Sequence, residues 1–295
     1  MLARVRQYFA DQDVLAVDTP ALSPSAPTDP HIASMLVHAA DSYLHSSPEF
    51  HMKRLLADGY PDIYTICRVF RDGERGRYHL PEFTMIEWYR HAMSLDAIIA
   101  DTLRLIAAVL ERPELATSAS NRDYSKCFAD TVAINPLDAS ISELADVANA
   151  DTQLRTSLGD NRDAWLDLIM ATKIAPRFST NSLSVVRHFP ASQAALARFC
   201  PANTGVADRF EVYYGTLELA NGYIELGDAV ELARRMDKDL AVRRSLSLPA
   251  VPRDEQLIAA LEAGLPECGG VAMGFERLHM VAAGADDIRN LVSFT

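Results

Sequence analysis

Apolar positions near the start of the chain alternate between two periods. Leu2, Val5 and Phe9 fall at helical spacing, and Val14-Leu15-Ala16-Val17 running into Asp18-Thr19-Pro20 reads as a strand stopped by proline. Ser47-Pro48-Glu49 offers an N-cap with proline at the first helical position; Met52, Leu55 and Leu56 follow on one face, and Gly59 ends the helix. Two runs rich in β-branched and aromatic residues, 63–71 and 83–90, flank a polar loop containing Gly73 and Gly76. They predict an antiparallel hairpin with a long charged loop. Helical patterns cover 94–111, 162–172 and 228–246, while 183–189 and 209–225 alternate like strands. The stretch 112–140, broken by Pro113, Pro136 and several Ser and Asn residues, reads as a connection. Strands clustered early and late around helices predict an α+β fold with an antiparallel sheet. Neither GxGxxG nor GxxxxGK[ST] occurs, so a nucleotide would be held without a Rossmann or P-loop cradle.

Composition narrows the class. With 295 residues, 49% of them hydrophobic and 23% charged, the chain can bury a substantial core, and one domain over 1–295 is expected. No run of about 18 uncharged apolar residues is available to span a bilayer. The first residues, Met1-Leu2-Ala3-Arg4-Val5-Arg6-Gln7, lack the continuous apolar region of a signal peptide, so no membrane association and a cytoplasmic location are expected. Cys67, Cys127, Cys200 and Cys268 are scattered, with no CxxC pair and no histidine close in sequence, which indicates neither a zinc cluster nor a disulfide framework. A net charge of -12 argues against a generally basic nucleic-acid surface.

Candidate chemistry starts with strand parity. In 83–90, Phe83, Met85, Glu87 and Tyr89 project from one face, so a glutamate shares its side with aromatic rings. Such a strand could be an edge with one solvated acid or the floor of a site. Arg71, Arg75, Arg77 and His79 precede Phe83; arginine forks suit phosphate and an aromatic face suits a purine, although a basic loop is also ordinary solvated surface. The segment 269–278 is a small-residue strand running through Gly274 into a helix with Arg277 in its first turn. It is either a tightly packed core strand or a place where a ligand approaches the backbone closely.

Phe70-Arg71 through Phe83, with Arg277 after the glycine-rich strand, resembles motifs 2 and 3 of class II aminoacyl-tRNA synthetases, and Pro20 would close motif 1. The wording Ser47-Pro48-Glu49-Phe50-His51-Met52-Lys53-Arg54-Leu55, His79-Leu80-Pro81-Glu82-Phe83-Thr84-Met85-Ile86-Glu87-Trp88-Tyr89-Arg90 and Glu218-Leu219-Ala220-Asn221-Gly222-Tyr223-Ile224-Glu225-Leu226 is similar to the lysyl branch over essentially the whole chain. Within that branch the chain resembles the truncated lysyl-tRNA synthetase paralogues that modify elongation factor P. Glu87-Trp88-Tyr89-Arg90 and His188-Phe189-Pro190-Ala191-Ser192-Gln193 carry that likeness, as does Ala272 where synthetases typically have glycine. The chain begins at the motif 1 helix, so an anticodon-reading OB-fold is not expected.

The resemblance implies an antiparallel sheet flanked by helices, with ATP bent over it. Arg71 would hold the α-phosphate, His79 and Arg277 the γ-phosphate, and Phe83 would stack on adenine; Asp72, Gly73, Glu218, Leu219 and Gly274 complete the implied ATP site, with Arg71 and Arg277 catalytic. Glu211 and Glu218, taken as one strand-like segment, would bind Mg2+. Ser47, Pro48, Glu49, Glu87, Tyr89, Asn221, Glu225 and Ala272 would receive (R)-beta-lysine or lysine. The implied acceptor is a lysine side chain of elongation factor P and not tRNA, and motif 1 implies a homodimer. The chain departs from the synthetase pattern at Gly73, where a glutamate is usual and here Glu74 stands next. A synthetase-like enzyme with another acceptor and a binding-only paralogue are the competing readings.

Overall fold

The computed structural model describes residues 1–293. Eight strands make the central sheet: β1 (Leu15–Ala16), β2 (Ile63–Phe70), β3 (Glu82–His91), β4 (Ser120–Asp123), β5 (Leu183–Arg187), β6 (Arg209–Tyr214), β7 (Leu217–Ile224) and β8 (Cys268–Gly274). Their spatial order is β1-β2-β3-β8-β7-β6-β5-β4. The inner pairings are antiparallel, as the sequence predicts, and the two outermost pairs, β1 with β2 and β4 with β5, are parallel.

One sheet face is closed by α1 (Leu2–Ala10) and α3 (Leu95–Leu110). Val5 and Phe9 of α1 and Ile98, Leu105 and Ile106 of α3 pack with Ile86, Trp88, Val212, Ala220, Val271 and Met273 of the sheet. The parity read in 83–90 is therefore real, since Ile86 and Trp88 are core while their neighbours face the other way. Buried Asp101 joins three elements by accepting from Trp88 Nε1 at 3.1 Å and from the Tyr8 hydroxyl at 2.7 Å. Ser94 caps α3 by accepting from the Ala97 amide at 3.3 Å.

Several boundaries differ from the sequence reading. The stretch 112–140 is not a plain connection: it contains β4 and the helix Tyr124–Val132, which buries Tyr124, Cys127 and Phe128 in a second core with Trp165, Ile169 and Phe189. Its strand is polar and short, and only pairing with β5 makes it a strand. The helix at 162–172 is α-helical to Ile169 and continues as a π-turn through Met170–Ile174. The segment 209–225 is a hairpin, turned at Gly215 in the left-handed region (φ 57). The second helix, α2 (Glu49–Ala57), starts after Pro48, and Ser47 Oγ accepts from the Glu49 amide at 3.0 Å. All four cysteines are free, but Cys200 is not isolated from histidine: folding sets it beside His188 and Asp208.

Candidate active site

The uncovered sheet face floors a cavity of about 820 Å³, within the usual range for small-molecule sites. Strand register organises its floor in two rows. Tyr89, Gly270, Tyr223 and Arg209 stand abreast across β3, β8, β7 and β6; Glu87, Ala272, Asn221 and Glu211 form the next row. Glycine at 270 is required by close approach, because a Cβ there would lie 2.1 Å from Glu225 Oε1 and 2.5 Å from the Tyr89 ring.

One end of the cavity is acidic. Glu49, Glu87 and Glu225 line it together, and all three are tied down. Glu87 accepts from Ser47 Oγ and from the Tyr89 hydroxyl, each at 2.7 Å. Glu49 accepts from the Tyr223 hydroxyl at 2.6 Å. Lys53, four residues after Glu49 on α2, places Nζ 2.6 Å from Glu49 and 2.5 Å from Glu225. Burial pushes the Glu87 carboxyl up to about 7, and Glu49 adds to the rise, while Ser47 and Tyr89 oppose it. Burial alone would lower the Lys53 ammonium, but Glu225 and Glu49 overcome it and hold the group charged. The solvated-edge alternative for Glu87 is excluded by its 2% exposure.

The other end is cationic and aromatic. Arg71 lies over the Phe83 ring, 5.2 Å from its centroid, and also reaches Glu74 at 3.5 Å. Arg277 donates to His79 Nε2 at 2.7 Å, to the Glu218 carbonyl at 3.0 Å and to its carboxylate at 3.3 Å. Burial and the Arg277 charge lower the His79 pKa, consistent with its ring nitrogen acting as acceptor. A bulge in β7 between the partners of Val212 and Tyr213 sets Glu218 opposite Tyr213, on the same face as Glu211. Glu211 is held by Arg209 and by the Tyr213 hydroxyl. Burial pushes its carboxyl up to about 7, with Arg209 opposing and Glu218 adding. Two carboxylates close together on adjacent strands, the charge on Glu218 helping to raise the Glu211 carboxyl, are a donor set that suits a hard divalent cation.

Most residues named from the sequence converge here. Ser47, Glu49, Arg71, His79, Phe83, Glu87, Tyr89, Glu218, Leu219, Asn221, Glu225, Ala272, Gly274 and Arg277 all line the cavity, whereas Pro48, Asp72, Gly73 and Glu211 stand outside its lining. Gly73 occupies a left-handed turn (φ 73), and Glu74, its neighbour, lines the cavity instead. Sequence reading missed Lys53, Tyr223 and Arg209. The spacing of Glu49 and Lys53, one helical turn apart, was the available signal for the first; period two in 209–225 was the signal for the other two, since it sets Tyr223 between Asn221 and Glu225 and Arg209 beside Glu211. Arg209 is fixed by Asn221 at 3.1 Å and by stacking 4.5 Å from the Phe189 centroid.

Comparison with known proteins agrees with this geometry. The family model described as tRNA synthetases class II (D, K and N) matches residues 1–295. The chain is 40% identical over 304 residues to the elongation factor P--(R)-beta-lysine ligase of Klebsiella pneumoniae, covering 100% of this chain and 92% of that protein. It is 42% identical over 310 residues to the protein of the same name from Vibrio cholerae, and 40% identical over 304 residues to that of Photorhabdus laumondii, with the same coverage in both cases.

Proposed function

Because the chain belongs to the class II tRNA synthetase family of the aspartyl, lysyl and asparaginyl branch, we propose that it is an ATP-dependent ligase that activates a lysine-type amino acid as its adenylate. It transfers (R)-beta-lysine, or lysine, to a lysine side chain of elongation factor P; its relatives are named as ligases of elongation factor P and (R)-beta-lysine. The observation that carries this reading is the polarity of one continuous cavity, acidic at Glu49, Glu87 and Glu225 and cationic at Arg71 and Arg277. Three carboxylates against the single ammonium of Lys53 favour a substrate with more than one amine. Arginines beside an aromatic ring favour a purine nucleotide.

The chemistry needs no side-chain nucleophile. The amino-acid carboxylate attacks the α-phosphorus, the bond to pyrophosphate breaks, and Arg71 stabilises the charge that develops on the phosphoryl oxygens. Arg277 and His79 receive the terminal phosphate, and Phe83 stacks on the base. Asp72 and Gly73 shape the turn behind Arg71, while Leu219 and Gly274 border the nucleotide. Glu211 and Glu218 would hold Mg2+, which when bound neutralises phosphate charge. The acceptor amine then displaces AMP from the mixed anhydride. Residues 1–295 act as one catalytic domain, in the cytoplasm and as a homodimer, with a protein and not tRNA as acceptor.

Intact-mass measurement of elongation factor P after incubation with enzyme, ATP, Mg2+ and either lysine isomer tests this reading. A gain of one lysyl residue, absent with Arg277→Ala, is expected. Amino-acid-dependent pyrophosphate exchange without that gain would retain the adenylate chemistry and discard the acceptor; failure of both would overturn the enzymatic reading.

A further inference from the structure

Behind the cavity wall three chain segments meet at side chains of metal-ligating type. His188 follows β5, Cys200 ends the first strand of the hairpin Phe199–Cys200 with Asn203–Ala207, and Asp208 immediately precedes β6. One potential ligand atom from each lies within 4.8 Å of the other two. Their sequence separation matches no ligand motif; the hairpin and the Pro190–Val206 bridge bring them together.

Two of the three are oriented by outer partners. His188 Nδ1 is 2.9 Å from Asp123 Oδ1, so that nitrogen donates, and Nε2 faces Asp208 Oδ1, 3.8 Å away. Asp208 Oδ2 accepts from Arg198 Nε at 2.9 Å, which leaves Oδ1 on the His188 side. A histidine whose far nitrogen donates to a carboxylate, and a carboxylate itself hydrogen-bonded from behind, are the outer arrangement that metal ligands usually have. The remaining charges are internally paired: Arg187 with Asp123 and Asp96, and Arg198 with Glu267. His188 is also held at φ 57, a left-handed conformation uncommon for a residue with a side chain. Asp208 is buried, while His188 and Cys200 are half-buried, so solvent can deliver an ion.

We propose that His188, Cys200 and Asp208 form a binding site for a divalent cation of the zinc class. Imidazole and thiolate select a borderline-soft ion over magnesium or calcium, and three protein ligands leave a fourth position for water. On binding, the Cys200 thiol releases its proton to solvent and the sulfur–metal bond replaces the S–H bond. The ion staples together the segments that carry Gln193, Leu196 and Phe199 on the cavity wall.

The test uses the whole chain, stripped with a chelator and titrated with Co2+ without ATP. One thiolate-bound Co2+ per chain is expected, read from a near-ultraviolet thiolate charge-transfer band that zinc abolishes. The band disappears in Cys200→Ser, persists in Cys67→Ser, and needs about tenfold or more Co2+ in Asp123→Asn. Cobalt at Glu211 and Glu218 has only oxygen donors and gives no such band. Absence of the band at saturating Co2+, or its survival in a folded Cys200→Ser protein, overturns the site; if that variant does not fold by circular dichroism, Cys200→Ala reads the same question with the same two outcomes.

Discussion

Lys53 Nζ stands 2.5 Å from Glu225, and the two side chains are only 2% and 1% exposed. The acidic end of the cavity thus contains an ammonium of its own, which lets three carboxylates share a small volume. Removing one partner of a buried pair leaves an uncompensated charge and costs about 3–5 kcal/mol. Lys53→Met is therefore expected to lower the free energy of unfolding in urea by about that amount. A loss below about 1 kcal/mol would mean that Glu225, whose carboxyl burial pushes up to about 8, takes up a proton in place of its lost partner.

Gly270→Ala addresses the floor itself. Its methyl would displace the Glu225 carboxylate and the Tyr89 ring, and a misplacement of about 1 Å at a reacting site costs on the order of 100-fold in rate. Amino-acid-dependent pyrophosphate exchange should fall by roughly that factor in kcat/KM. An unchanged value would show that Glu225 and Tyr89 take no part in binding the amino acid.

Ala272 lies between Glu87 and Asn221 in the floor. Ala272→Gly enlarges the pocket by one methyl, a change worth about 1–3 kcal/mol in discrimination. The ratio of kcat/KM for (R)-beta-lysine over α-lysine should shift about tenfold or more toward α-lysine. A constant ratio would place isomer selection elsewhere.

Glu87 gives the site a pH dependence. Its carboxyl is raised from 4.5 to about 7 in the fold, so in the unliganded protein its stabilising contribution is present below the unfolded value and is lost as pH rises from about 4.5 through about 7. Amine binding has the opposite sign, because the ionised form attracts the ammonium. KM for the amino acid should fall between pH 6 and pH 8, and Glu87→Gln should flatten that profile while raising KM. A profile of equal slope in the variant would assign the titration to another group.

Much of the site was legible because its cues are local. Alternation in 83–90 placed Glu87 with Phe83 and Tyr89, and helical spacing after Gly274 placed Arg277 in a first turn. Motif wording supplied the other residues named from the sequence that line the cavity, and left out Tyr223 and Arg209. The polar strand Ser120–Asp123 was missed for the converse reason: it has no internal pattern and exists through its pairing with β5.

The sequence by itself determined the α+β class, the central hairpin, the helix after the glycine-rich strand and the family, since these follow from periodicity and short motifs. Only tertiary structure decided which distant groups share a volume. Period two along a single strand would send Glu211 and Glu218, seven residues apart, to opposite faces; the turn at Gly215 and the bulge in β7 put them on one. The contact of Lys53 with Glu225 and the meeting of His188, Cys200 and Asp208 likewise depend on packing between segments far apart in the chain, where no spacing rule reaches.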